Sequence, residues 1–333
     1  MKVLVTANDP GGANAVLPVA QELLTEGSEL LVVLTGPARE VFERGNVEFV
    51  DGEKIEKNAL LERVDSFGPE LLLSGTSVGS SLDKELLIHT KGSVRSLYVL
   101  DAWNSNAQWF SKEANDLEYL PDLICAPDDQ AKSDMVAEGI PEEIIRVTGN
   151  PYFEHFTDGV TVGGEDKHRV LFVSQPVSEF EGKPYGFDEF DALEGTLDAL
   201  KSLPEEYYLV IRLHPRDDAH KYDAYVSERV RISSEELVEK DLSDTGLVIG
   251  MFSPVLIQAT MAGKCAISFE PNLIGKDPLP TNRLEETLHV HDTESLALLL
   301  GRYSQNTLQK LSTNEAFKHL NSTARILELV HTR

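Results

Sequence analysis

The feature of this sequence that most restricts its fold is a recurrent unit: a short apolar run, a turn, then a stretch with helical periodicity. In the first half, strands are expected at Lys2–Thr6, Leu30–Leu34, Val47–Val50, Leu71–Leu73, Val94–Leu100, Leu123–Cys125 and Ile145–Val147. Helices are expected between them at Ala15–Leu24, Pro37–Arg44, Ile55–Phe67, Ser81–Thr90 and Asp128–Glu138. Runs that are apolar throughout, rather than alternating, suit strands buried on both faces, and strand–helix alternation puts such strands in a parallel sheet. The pattern stops at Gly149-Asn150-Pro151 and resumes with Arg169–Val173, Tyr208–Leu213, Val230–Ile232, Leu247–Ile249 and Ala266–Phe269. Helices are expected there at Asp188–Lys201, Tyr222–Glu228, Ser253–Ala262 and Thr293–Gly301, and an amphipathic helix at Asn314–Val330 closes the chain. The expectation is an α/β protein of two Rossmann-like, doubly wound parallel-sheet domains facing a central cleft. The first covers 1–155 and the second 165–313, with the boundary between Asn150 and Asp166; 314–333 forms the last helix. A length of 333 residues suits two domains, each with its own core.

Charge narrows the function. Fifty-six acidic residues against 30 basic ones give a formal net charge of −26. Such a surface repels nucleic acid and anionic lipid, so neither is expected as a partner. No apolar run reaches the length of a transmembrane helix, and the N-terminus goes directly into a strand without a signal-peptide pattern. Cys125 and Cys265 sit in or beside apolar strands, as reduced core cysteines of a cytoplasmic protein do. No His/Cys/Asp spacing suggests a metal, and none is expected.

Gly246 to Lys264 is the most informative stretch. A buried strand turns at Gly250 into a helix with Ser253 as N-cap and Pro254 at the first helical position; Gly263 stands at the far end. The start of such a helix offers backbone N–H groups and a partial positive charge, which suits phosphate. An ordinary strand–helix crossover without a ligand accounts for the same residues. Ligands of open parallel sheets bind beyond the carboxyl ends of the strands. The polar residues expected there are Asp9, Gly11, Gly12 and Asn14 on a glycine-containing loop, Thr76 and Ser77, and Asp101 and Asn104. The second half supplies Ser174 and Gln175, His214 and Arg216, Phe252 and Ser253, Gln258, and Glu270 and Asn272. His214 follows a strand that Pro215 stops, and with Arg216 it suits a base, ribose or phosphate; a loop-capping histidine is the plainer account. Glu179, Glu181 and the run Asp188–Asp191 look like solvated charge. Neither glycine loop carries a dinucleotide or P-loop fingerprint.

The glycine loop after the first strand, Thr148-Gly149-Asn150-Pro151 at the junction, Arg212-Leu213-His214-Pro215 and the Ser253-capped helix together resemble the GT-B superfamily. That group includes nucleotide-sugar glycosyltransferases and UDP-N-acetylglucosamine 2-epimerases. The resemblance implies that the second domain binds the nucleotide donor, of UDP, CDP or CMP type, as a substrate and without a further cofactor. Ser253, Pro254 and the amides after them would hold its phosphates, with His214 and Arg216 on nucleotide or phosphate. Gln258 stands near where many of these enzymes place a ribose-binding glutamate. A carboxylate of the first domain, Asp9 or Asp101, would deprotonate the hydroxyl of a carbohydrate or lipid-linked acceptor; Asp9 is equally a turn residue before Pro10-Gly11. The last helix returns to the first domain in that fold, and a homodimer is one assembly open to it. The epimerases differ at three places: Trp103 follows Asp101-Ala102 where they have Glu-Ala-Gly, Gly75-Thr76-Ser77 stands for Gly-Asp-Thr, and Ser174-Gln175-Pro176 stands for a His-Arg segment. Glycosyl transfer in surface-polysaccharide or glycoconjugate synthesis is therefore the expected activity, epimerisation the alternative, and a non-catalytic nucleotide-sugar-binding subunit a second alternative.

Overall fold

The computed structural model describes residues 1–77, 81–101, 103, 106–113, 116–156, 160–161, 163–283, 285–308 and 321–332. The chain divides into two compact units, Met1–Glu154 with Ala316–Arg333, and His155–Glu315. Among the described residues each unit is built on one parallel sheet.

In the first unit, β1 (Lys2–Ala7), β2 (Glu29–Leu34), β3 (Val50–Asp51), β4 (Leu71–Gly75), β5 (Arg95–Val99), β6 (Leu123–Ala126) and β7 (Ile145–Val147) lie in the order β3-β2-β1-β4-β5-β6-β7. Residues Leu71–Gly75 are buried without a break, as expected of a strand with helices on both sides. The order reverses between β1 and β4, so the loops after these two strands diverge at a switch point. In the second unit, β8 (Asp166–Val173), β9 (Tyr208–Arg212), β10 (Val230–Ile232), β11 (Thr245–Gly250), β12 (Cys265–Phe269) and β13 (Leu288–Val290) lie in the order β10-β9-β8-β11-β12-β13. Its switch point lies between β8 and β11. Cys125 and Cys265 are buried and form no disulfide. No helix among the described residues is long and apolar enough to cross a membrane.

Several elements differ from their expected form. The glycine stretch after β1 is the first turn of a helix, Pro10–Thr25, rather than a loop. The helix expected over Tyr222–Glu228 shrinks to one 3-10 turn, Asp223–Tyr225, because Val226 is extended and Ser227 pairs with Val230 on the way into β10. Of the last helix, Ser322–His331 is described, and the expected start at Asn314 lies outside the described residues. The sequence reading missed the helices Pro151–Phe156 and Val238–Asp244 and the strand β13. Ile326, Leu327 and Val330 join the core formed by β1, β2 and the Pro10–Thr25 helix. The carboxylate of Glu154 accepts from the backbone N–H of Ser322 and Thr323 and from the Thr323 hydroxyl, and so caps that helix in place of Asn321.

Glycine decides how closely the Pro10–Thr25 helix approaches the sheet. A Cβ on Gly12 would sit 2.6 Å from the Thr76 carbonyl oxygen, and one on Gly75 would sit 2.5 Å from the Gly12 backbone. Backbone meets backbone here, so neither side can rotate away. Gly301, within the helix Thr293–Ser304, has open space where a Cβ would go. Gly12→Ala is expected to destabilise by about 1–3 kcal/mol, whereas Gly301→Ala should stabilise by up to about 1 kcal/mol. Denaturant unfolding of both variants checks the pair, and equal shifts of one sign would refute the close-approach account.

Candidate functional site

In the first unit the polar residues gather where β1, β4 and β5 end. Asp9 has extended backbone (φ −89°, ψ 152°) at the N-cap of the Pro10–Thr25 helix, yet its carboxylate does not cap. It accepts instead from the Asn8 side-chain amide at 3.0 Å. Gly11 and Gly12 form the helix's first turn, and Asn14 follows half-buried in the next. The buried Thr76 donates its hydroxyl to Asp101 Oδ1 at 2.6 Å. Asp101 Oδ2 lies so close to Gly11 that a Cβ there would be 1.7 Å away. Burial pushes the Asp101 carboxyl up to about 6, aided by the Asp9 charge and opposed by the Thr76 hydrogen bond. Asp101 therefore changes charge near neutral pH, as a proton-transfer group does. Ser77 turns away from this group and donates to buried Asp83 at 2.7 Å. Asn104 lies outside the described residues.

In the second unit one loop gathers most of the expected residues. Ser174, at the end of β8, donates to Asp217 at 2.7 Å and lies 2.6 Å from the Tyr222 hydroxyl. Asp217 also accepts from the His214 backbone N–H at 2.8 Å and from Lys221 at 2.7 Å. Burial alone would raise this carboxyl, but its donors, Lys221 first, hold it below the usual carboxylate range. Lys221 continues to the fully buried Glu189 at 2.6 Å, whose carboxylate accepts from the Ser178 backbone N–H and hydroxyl at 2.7 Å each. Glu189 is thus not the solvated charge expected of the Asp188–Asp191 run. Asp188 is not either: it caps the helix Glu189–Leu200 in a reciprocal pair with Asp191.

His214 accepts the Arg216 backbone N–H on Nδ1 at 3.2 Å, which leaves Nε2 to carry the proton of the neutral ring. Burial, reinforced by the charge of Arg216, lowers its pKa. Arg216 itself is 61% exposed and reaches Glu179 at 3.6 Å, so the structure does not bring its guanidinium onto His214.

Ser253 (φ −69°, ψ 136°) caps the helix Pro254–Met261, accepting the Val255 N–H at 3.2 Å. The amides expected to receive an anion are engaged. Val255 N–H is bound to Ser253 Oγ, Leu256 N–H to the Ser253 carbonyl at 2.9 Å, and Phe252 N–H to Gln175 Oε1 at 3.0 Å. An anion here takes over acceptor positions now filled by the Ser253 hydroxyl and the Gln175 side chain. Gln258 is buried with Oε1 unpartnered.

Glu270 and Asn272 follow β12, the strand paired with β11. Asn272 is exposed and left-handed (φ +58°), a turn position that asparagine tolerates. Glu270 is fully buried, neither carboxylate oxygen sits in hydrogen-bond geometry with a donor, and burial pushes its carboxyl up to about 9, reinforced by neighbouring Asp277. Asp217, Lys221, Glu189, Asp277 and His291 were missed from the sequence. Asp217 was legible in principle, since an aspartate three residues after His214 suits a turn bound to its own backbone.

No protein-family model matches the chain, and no curated protein matches it. Solved structures do. The UDP-GlcNAc 2-epimerase of Neisseria meningitidis, bound to UDP-GlcNAc, is 15% identical with a TM-score of 0.74, over 99% of each chain. A putative UDP-N-acetylglucosamine 2-epimerase of Listeria monocytogenes is 18% identical at TM-score 0.70, over 99% of this chain and 95% of that one. The glycotransferase of kitacinnamycin is 11% identical at TM-score 0.58, over 99% and 98%. The fold is GT-B-like, two Rossmann-like parallel-sheet domains.

The Asp101 carboxyl binds its proton more tightly in the folded than in the unfolded chain. Its contribution to stability is full below about pH 4 and is lost as pH rises through about 6. Asp101→Asn should therefore raise the melting temperature at about pH 8 and leave it nearly unchanged at about pH 4, which a pair of calorimetric scans reads. In the second unit, Asp217→Ala removes a partner of Lys221 and of two further donors, Ser174 and the His214 amide, and should cost about 3–5 kcal/mol. Arg216→Ala should stay within about 0.5 kcal/mol. Similar losses in both would show that Asp217 does not organise the loop.

Proposed function

We propose that this chain is an enzyme acting on a UDP-activated sugar, with epimerase-type chemistry as its activity. In this reading the second unit holds the nucleotide. The diphosphate lies at Phe252-Ser253 and takes the N–H groups that Gln175 and the Ser253 hydroxyl now occupy. The His214 ring, neutral with its proton on Nε2, donates from a backbone fixed by Asp217. The first unit supplies proton transfer. Elimination of the nucleotide takes a proton from the carbon next to the anomeric one, and re-addition with opposite configuration returns a proton to the other face of that carbon. Asp101, with a pKa of about 6, has both forms within reach near neutral pH. The Thr76 hydroxyl bonds to the ionised form and fixes its direction. The observation that carries the reading is the Asp101 carboxyl held at a strand end by the Thr76 hydroxyl and the Gly11 backbone, in a fold shared along its whole length with UDP-sugar epimerases.

One observation favours glycosyl transfer instead. Thr76 spends its hydroxyl proton on Asp101 and Gln175 is committed to the Phe252 amide. Both stand where the epimerases, by the resemblance above, carry a carboxylate and a His-Arg pair. A transferase needs a single carboxylate base, Asp101 or Asp9, for its acceptor hydroxyl.

Incubation with UDP-N-acetylglucosamine, followed by proton NMR, separates the two readings. The 2-epimer should accumulate with little free UDP, on a pH–rate limb near 6, and Asp101→Asn should lower the rate by about 100-fold or more. Nucleotide release that requires an added acceptor, across UDP-, CDP-, CMP- and GDP-sugars, would establish transfer. Calorimetric binding with no turnover would leave a non-catalytic subunit.

A further inference from the structure

We propose that Glu270, Asp277 and His291 form a site for one divalent transition-metal cation, of the Mn²⁺ or Zn²⁺ class, at the carboxyl edge of the second sheet. The three residues come from three places: the end of β12, the loop after it, and the end of β13. Each offers a ligand atom, and these atoms lie within 4.8 Å of one another. A cation with ligands about 2.0–2.2 Å away holds them about 3–4 Å apart, a difference that small side-chain rotations close.

The independent sign of a missing ligand is Glu270 itself. It is 0% exposed, and neither carboxylate oxygen sits in hydrogen-bond geometry with a donor, its polar neighbours being Asp277 and Asn282. Asn282 adds a third such acceptor. Its Nδ2 donates to Ser268 Oγ at 2.8 Å and to Asp277 Oδ2 at 3.0 Å, which leaves its buried Oδ1 unpartnered. Buried acceptors without donors are unfavourable, and a cation satisfies several at once.

The other two ligands are already oriented. The Leu279 backbone N–H donates to Asp277 Oδ1 at 2.8 Å, and Asn282 holds the second oxygen. His291 Nδ1 lies 3.2 Å from the Glu270 carbonyl oxygen and 4.0 Å from its Oε2. Nδ1 is thus the ring atom that faces the carboxylates, and with the ring proton on Nε2 it is free to act as the ligand. Two carboxylates and one imidazole suit a first-row transition metal better than Ca²⁺ or Mg²⁺, which favour all-oxygen shells.

The test is independent of the nucleotide reading. Full-length protein freed of metal by a chelator is titrated with MnCl₂ and with ZnCl₂ by calorimetry. One saturable site is expected for at least one metal, together with a metal-dependent rise in melting temperature. Glu270→Gln and His291→Ala should each weaken that site by about tenfold or more. His220→Ala, which alters an exposed His–Asp pair elsewhere, should not. His291 is exposed, so its variant keeps the fold even if Glu270→Gln does not. Absence of saturable binding of either metal, or binding unchanged in His291→Ala, overturns the proposal.

Discussion

Both sheets are covered on both faces by apolar side chains, and this confines polar chemistry to the ends of their strands. Residues Thr245–Gly250 of β11 and Cys265–Phe269 of β12 are buried throughout, as is β4. A charged group on either face would forfeit its hydration, whereas one just past a strand end keeps a path to water. The first unit shows how tightly such an edge is built. Two glycines, Gly12 and Gly75, let the start of the Pro10–Thr25 helix rest on the backbone of β4. That contact sets the positive end of the helix beside Asp101, with Gly11 against Oδ2. Any side chain at Gly11 would hold the helix off and move the carboxylate out of register with Thr76.

The second unit solves the same problem with ion pairs. Pro215 ends β9, and the chain then turns about Asp217, which takes the His214 amide, the Ser174 hydroxyl and the Lys221 ammonium. Lys221 is shared with Glu189, so one cation balances two buried carboxylates and the His-Pro loop hangs on that balance. Beneath the same edge Asp241 pairs with Arg169 and Arg212 and accepts from Ser233. In a chain of net charge −26 these few basic side chains are placed where burial makes them most needed, since a buried carboxylate without a partner is costly.

Much of this was legible in the sequence because it depends on local chemistry. Ser253-Pro254 marks a helix start and Gly263 (φ +72°) its end whatever surrounds them, and Gly68 (φ +63°) before Pro69 stops the helix Lys57–Phe67 in the same way. What escaped was decided by tertiary contact. Gly11-Gly12 reads as a loop because glycine disfavours helix, yet the packing against β4 outweighs the ~1 kcal/mol propensity of each. β13, only Leu288–Val290, takes its partner from β12 rather than from any apolar run of its own. Glu189 reads as surface charge since its partner Lys221 lies on another segment, and Glu270, Asp277 and His291 carry no spacing that announces their meeting. Of the candidate residues, those at strand ends were found by the topology rule, whereas their partners were not.

Three half- or fully buried carboxylates show how much the partners matter. Asp217 accepts from a backbone amide, a hydroxyl and an ammonium, and stays below the usual carboxylate range despite burial. Asp101 has the Thr76 hydroxyl on one oxygen and the Asp9 charge nearby, and settles at about 6. Glu270 is buried beside the Asp277 carboxylate and rises to about 9. Burial raises all three, and the donors and charges beside each set how far it moves. The same ordering separates their uses. A carboxylate saturated with donors is fixed in charge and serves as an anchor. One with a single donor exchanges its proton near neutrality, which suits acid–base work on a substrate. At Glu270 it is the geometry that points to a cation, since a second carboxylate and an imidazole offer ligand atoms within 4.8 Å.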